Sequence, residues 1–370
     1  MIDLLDTGFR FSAVICCALT TALVIRDARR QLAACLASAL SICTIGFLVV
    51  SAPGMGERIG QWMVLPEMIG MATPAMLWLF SLSLFDDKFR IKPVHILVAC
   101  VFWLSGMAVV VEYYYLFGHF APLSPADLHA AVRDAGSGFY ISKAIGNGLK
   151  LGMIAHMLFT AWQGRDDDLL ESRRKFRATF VVGGAIIMGV VVFSLSSAAG
   201  LSPESVQLVD MAIAAAVMTI VFYLMWNVTR IDSEWLLGNL NEKTPDVVVP
   251  ITEPADALDL ERLNELAANA ALLEQGLTIT KLADVAKVPE HRLRRLINQH
   301  MGFRNFSDFL NHHRIEAAKD RLADTGERHT PVLTIAMELG YGSLGPFNRA
   351  FKERTGQTPT EFRRGFLGSV

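Results

Sequence analysis

Two short stretches near the end of the chain carry side chains suited to gripping a polyanion. In EHRLRRLINQ, the apolar Leu293, Leu296 and Ile297 fall at helical spacing, which leaves His291, Arg294, Arg295 and Asn298 on the outward face. In SLGPFNRAFK, Phe347, Ala350 and Phe351 point inward, while Gly345, Asn348, Arg349 and Lys352 face outward behind Ser343 at the helix start. Arginine pairs with guanine and phosphate, and asparagine with adenine, so both faces are candidates for reading DNA. From Lys281 to Arg364 there are fifteen Lys and Arg against ten Asp and Glu, a local excess of five positive charges. The whole chain carries a net charge of -2, so a uniformly basic nucleic-acid binder is excluded and any such surface is local.

A second constellation lies in apolar surroundings. Lys143, Asn147 and Lys150 recur at i, i+4 and i+7 and so share one helical face, with His156 further along it. Glu67, Glu112 and Asp210 sit within or near the ends of other apolar stretches. Charges at such places are costly and mark functional candidates, here an anion-binding or ion-pair cluster with a sensory role. The alternative is that Lys143 and Glu112 snorkel to an interface while Lys150 makes a structural bond. No HExxH or GxSxG occurs, so neither catalytic residues nor a metal site is expected, and no cofactor. The last apolar stretch, Gln207 to Val228, holds no lysine for a retinal Schiff base. The five cysteines lie in apolar runs without metal-site or disulfide-framework spacing.

The elements that position these groups fall into two contrasting regions. Residues are 52% hydrophobic and 19% charged overall. A soluble domain is about 45–50% apolar and about 25% charged. Up to about residue 230, seven apolar stretches stand near the roughly 20 residues that cross a bilayer. They run approximately 8 to 25, 32 to 52, 62 to 85, 93 to 117, 139 to 162, 178 to 199 and 207 to 229. Arg26, Arg29, Arg30, Lys88, Arg90, Lys92, Arg165, Arg173, Arg174, Lys175, Arg177 and Arg230 collect on one side. Only Arg58 and Arg133 lie between spans on the other, with Arg10 at the outer end of the first. The positive-inside rule then places the N-terminus outside and everything after residue 230 in the cytoplasm. Asp3 and Asp6 replace a basic leader and no small-residue cleavage site follows, so the first stretch reads as an uncleaved anchor. Residues 230–257 form a linker in which Pro245, Pro250 and Pro254 interrupt any helix. The expected architecture is all-α: a seven-transmembrane helix bundle over 1–229, then a small helical domain over 258–370 with two helix-turn-helix motifs.

Those two motifs form an internal repeat. LADVAKV precedes HRLRRLI and Gly302 in the first copy, as IAMELGY precedes GPFNRAF and Gly356 in the second. Ala283 and Ala336 are small where helices cross, and Gly340 suits a turn at positive φ. Gly302 and Gly356 stand where a helix ends in the left-handed conformation. The stretch LTITKLADVAKVPEHRLRRLINQHMGFRNFSDFLNHHRIEAAKDRL, followed by LTIAMELGYGSLGPFNRAFKERTGQTPTEFRR, resembles the DNA-binding domain of the AraC/XylS family of bacterial transcription regulators. Gly340-Tyr341, Phe347 to Lys352, Gly356, Pro359 and Phe362-Arg363 carry the likeness. Lys287 and Pro289 depart from it, standing where the family has a turn glycine and a capping serine.

The resemblance implies that a long helix, about Phe306 to Leu322, joins two modules that read adjacent major-groove segments. It also implies base or phosphate contact by His291, Arg294 and Arg295 in the first module, and by Gly345, Asn348 and Arg349 in the second. The expected protein is a membrane-embedded one-component regulator in the bacterial inner membrane. Its expected partners are promoter DNA, the lipid bilayer and an unidentified small-molecule or membrane signal. A homodimer follows from the use of paired half-sites, and RNA polymerase is a partner if the chain activates. The alternative is a transporter or channel with a regulatory helix-turn-helix domain.

Overall fold

The computed structural model describes residues 2–28, 32–52, 54–86, 89–117, 136–170, 174–175, 177–183, 212, 215–216, 218–219, 254–268, 270–303 and 305–367. These residues are overwhelmingly helical, and the one β interaction among them is an isolated antiparallel bridge between Asp168 and Asn305. The chain divides into two compact units. One comprises Met1–Gly164 with Arg177–Leu240, and the other Arg165–Phe176 with Asn241–Val370.

In the first unit, helices α1 (Ile2–Ala28), α2 (Leu32–Val50), α3 (Met55–Ile59), α4 (Val64–Gly70), α5 (Thr73–Phe85), α6 (Pro93–Phe117) and α7 (Ser137–Gln163) follow in order. Helix α2 packs on α1, α4 and α5, and α7 packs on α5 and α6. Where α2 crosses α4, a Cβ on Gly46 would lie 2.8 Å from the Gly70 amide nitrogen and from the Pro66 carbonyl oxygen. Only glycine permits that backbone approach, the usual small-residue route to tight helix packing in lipid. Arg10 bonds to Asp6 at 2.8 Å and to the Leu48 carbonyl at 3.2 Å, tying α1 to α2. Arg10, near the start of the first expected span, is a buried strut.

Among the described residues, four helical stretches are long and apolar enough to cross a membrane: Leu4–Arg26, Leu32–Val50, Gly60–Phe85 and Pro93–Glu112. They coincide with the first four expected spans. The third is not one continuous rod, since a 3-10 turn at Gly60–Met63 and turn residues Met71 and Ala72 separate α3, α4 and α5. The fifth expected span is the 27-residue α7, which is long enough but falls outside those four. Lys143, Asn147, Lys150 and His156 dilute its apolar character. Most of the sixth and seventh, 178–199 and 207–229, lies outside the described residues. Large apolar side chains are exposed along α1, α6 and α7, among them Phe11, Leu97, Leu104, Ile141 and Phe159.

In the second unit, α8 (Pro254–Ala268) leads into α9 (Ile279–Ala286), α10 (Glu290–Gln299), α11 (Phe306–Ala323), α12 (Val332–Glu338), α13 (Leu344–Thr355) and α14 (Pro359–Leu367). Pro254 opens α8 instead of blocking a helix, as first-turn proline does where no amide donor is needed. One core gathers Leu263, Leu272, Leu282, Leu293, Leu296 and Ile297 around Phe306 and Phe309. A second gathers Ile335, Ala336, Leu339, Phe347 and Phe351 around Ile315, Ala318 and Leu322. Helix α11 thus supplies side chains to both, one end to each.

Candidate nucleic-acid interface

Each module consists of a short helix, a turn and a second helix. Helix α9 starts at Thr278, whose hydroxyl accepts from the Lys281 amide at 3.3 Å. It ends at Lys287, which adopts φ 55° and so fills the left-handed turn position without glycine. Helix α10 then begins after Pro289 with no side-chain cap, and Glu290 in its first turn faces the positive end of the helix. In the second module the turn falls at Gly340, φ 84°, and α13 ends at Gly356, φ 76°. The helix-crossing alanines Ala283 and Ala336 are both buried.

The two second helices present their cations differently. On α13, Ser343, Gly345, Arg349 and Lys352 are exposed and Asn348 is half-buried. Arg349 and Lys352 have no ion pair among the described residues. On α10, by contrast, Arg294 is only 4% exposed, which corrects the outward placement that helical spacing implied. Its guanidinium donates to Glu290 at 3.0 Å and to the Asp168 carbonyl at 2.7 Å. Arg295 reaches both Asp256 carboxylate oxygens, at 2.9 and 3.0 Å. Arg292, which spacing did not single out, donates to Asp256 at 2.8 and 3.0 Å and lies 3.1 Å from Asp259. Asn298 is spent on the Phe303 carbonyl at 2.9 Å, and His291 remains exposed.

Electrostatics follow this pairing. Burial pushes the Asp256 carboxyl up, but hydrogen bonds from Arg292 and the charge of Arg295 outweigh it and hold the group below the ordinary carboxylate range. Glu290 is lowered in the same way, burial being overcome by bonds from Thr280 and Arg294. The net of five positive charges is therefore unevenly available. Arg314, Arg321, Arg354 and Arg363 are taken up by carbonyls or carboxylates within the domain. Lys281, Lys287, Arg349, Lys352 and Arg364 stay exposed.

A titratable pair on α11 gives a pH prediction. Burial first, then the neighbouring His312 and Arg354, lowers His313 to about 4, and its Nε2 is buried without a hydrogen-bond partner. The unfolded chain takes up this proton below about 6.5. The fold resists it until about 4, so stability is lost as pH falls through that window. The melting temperature should fall between pH 6.5 and 4, and His313→Phe should flatten the fall.

Among the described residues, the candidate side chains of the apolar region have these partners. Glu112 accepts from the Gly136 amide at 3.1 Å, at the start of α7. The Lys143 ammonium lies 5.7 Å from the Phe139 ring centroid. Lys150 and Asn147 are half-buried, and among the described residues no ion pair joins Lys143 or Lys150 to Glu112. His156 instead accepts from Trp78 Nε1 at 3.1 Å, in an aromatic group that includes His95. That grouping has no signature in local spacing. Asp210 lies outside the described residues.

Two repeated helix-turn-helix modules thus share one long helix, and among the described residues the cations of the second, Arg349 and Lys352, carry no ion pair. Residues 282–365 match a family model described as a helix-turn-helix domain, which supports the AraC-type likeness over less than a quarter of the chain. No curated protein and no solved structure matches the chain.

Proposed function

We propose that the chain is a membrane-embedded, sequence-specific transcription regulator. In this reading seven spans hold it in the bacterial inner membrane with the N-terminus outside, and a cytoplasmic domain, residues 258–370, binds promoter DNA. The observation that carries it is the exposed face of α13, where Asn348, Arg349 and Lys352 stand on a helix-turn-helix scaffold within the same chain as four membrane-length apolar helices. The charge bias of the loops supports the orientation. Within the bundle, Lys143, Asn147, Lys150, His156, Glu112 and Asp210 are the residues we assign to sensing. Signal then alters bundle packing, or the geometry of a homodimer, and with it the placement of the DNA-binding domains.

Genome-wide mapping of DNA bound by the tagged chain, followed by affinity measurements in lipid nanodiscs, tests this. If Arg349 reads a base, Arg349→Ala should cost about 1–3 kcal/mol on the best site and relax its sequence preference. Lys352→Ala should weaken all duplexes alike and flatten the salt dependence. Binding that shows no sequence preference in the wild-type chain would overturn the proposal.

A further inference from the structure

The segment Arg165–Phe176 follows α7 in the chain, yet it folds with the second unit. Asp167 accepts the Phe306 amide at 2.9 Å through its carbonyl, and the Ser307 amide and hydroxyl at 2.8 Å through its carboxylate. Asp168 bridges to Asn305, and its carbonyl takes the Arg294 guanidinium at 2.7 Å. Leu169 is 3% exposed and belongs to the core of the first module. Arg174 lies 3.6 Å from Glu290, the other partner of Arg294. A connector between two apolar stretches thus completes a DNA-binding module at a separation of 126 residues.

Its position on α10 matters. At 100° per residue, Arg294, Asn298, His291 and Arg295 form one continuous face in that angular order. The connector covers the Arg294 edge, and Asp256 clasps the Arg295 edge together with Arg292. A DNA phosphate or base reaches Arg294 only after the Asp168 carbonyl and Glu290 let go. The face of α13 carries no such cover among the described residues.

We infer that residues 165–170 are an intramolecular clasp that withholds Arg294 of the first helix-turn-helix module from DNA, and that loosening this clasp switches the first module on. This rests on the proposed regulator function and adds its control point. In the chain the clasp begins two residues after α7 ends at Gln163. Until release, the second module reads DNA without help from Arg294 of the first. The contribution of Arg294 to apparent affinity is scaled by the fraction of chains whose clasp is open, so it grows as the clasp loosens.

The test uses the full-length chain in lipid nanodiscs and a duplex carrying the sequence most enriched by genome-wide mapping of the wild type. Asp167→Ala removes a half-exposed side chain and leaves the core intact, so the variant folds; it should bind about threefold more tightly. Asp167→Ala with Leu169→Ser should bind about tenfold more tightly and should deprotect the Phe306 and Ser307 amides to hydrogen exchange. Adding Arg294→Ala should abolish either gain. Specific wild-type binding that Asp167→Ala leaves unchanged or weakens overturns the clasp alone. A wild-type chain that prefers no sequence overturns the regulator function, and the clasp with it.

Discussion

Gly340→Ala should collapse the second helix-turn-helix module. Gly340 sits at φ 84°, and an alanine in the left-handed region costs about 1–2 kcal/mol. Space is refused as well: the new Cβ would collide with the Leu273 carbonyl oxygen and lie 2.8 Å from Nη2 of Arg314. That oxygen belongs to the 3-10 turn Ala271–Leu273, in which the Leu272 carbonyl, like that of the following Glu274, is held by Arg314. Overpacking such a site adds about 1–3 kcal/mol. The combined loss, about 2–5 kcal/mol, is large against domain stabilities of about 5–15 kcal/mol. Hydrogen exchange should show α12 and α13 deprotected, and promoter binding should fall with them. Gly345→Ala is the control, since its Cβ would meet nothing closer than Arg349 Nη1 at 3.8 Å. Equal melting of the Gly340→Ala and wild-type chains would contradict the argument.

Arg314→Met should be comparably damaging for a different reason. The Arg314 guanidinium donates to the carbonyls of Leu272 at 3.0 Å, Gly340 at 3.1 Å and Glu274 at 2.7 Å, and lies 5.6 Å from the Tyr341 ring centroid. Burial lowers the pKa of Arg314, and burial likewise pushes the Tyr341 hydroxyl up to about 12, so an Arg⁺ beside a neutral phenol persists at physiological pH. Methionine keeps the stem but orphans three acceptors, each worth about 1–3 kcal/mol when left buried. Relief of the cost of burying the cation offsets part of this, leaving about 3–5 kcal/mol, as when one partner of a buried pair is removed. Arg314→Lys should recover only part of the loss, because an ammonium cannot span three carbonyls as a planar fork does. Urea unfolding followed on the second unit measures both. Gly340 and Arg314 share a contact, so the double variant should cost less than the sum of the singles.

The helix-turn-helix repeat was legible because its signal is local. Leu293, Leu296 and Ile297, like Phe347, Ala350 and Phe351, recur at helical spacing, and all six are buried. Gly340 and Gly356 marked left-handed positions by residue type alone. The long helix expected over about Phe306 to Leu322 is Phe306–Ala323, because Asn305 caps it through the Asp308 amide. Spacing placed Arg294 outward because periodicity knows only the helix it belongs to. A connector more than a hundred residues away in the chain covers that side. In the apolar region, spacing put Lys143, Asn147 and Lys150 on one face but carried no information about the element opposite it. Glu112 holds the backbone amide of Gly136, the residue that caps the start of α7.

What the sequence determined by itself is the kind of protein: membrane-length apolar helices, and a basic double helix-turn-helix domain downstream of them. These properties follow from residue type and from periods of a few residues, which act through burial and backbone sterics. Only the tertiary structure decided which of the cations remain available. Arg349 and Lys352 stay exposed, whereas Arg292, Arg294 and Arg295 are bound by Asp256, Asp259, Glu290 and the carbonyl of Asp168. Helical spacing specifies where a guanidinium points. Whether an acceptor waits there depends on chain segments that the fold alone brings within 3 Å.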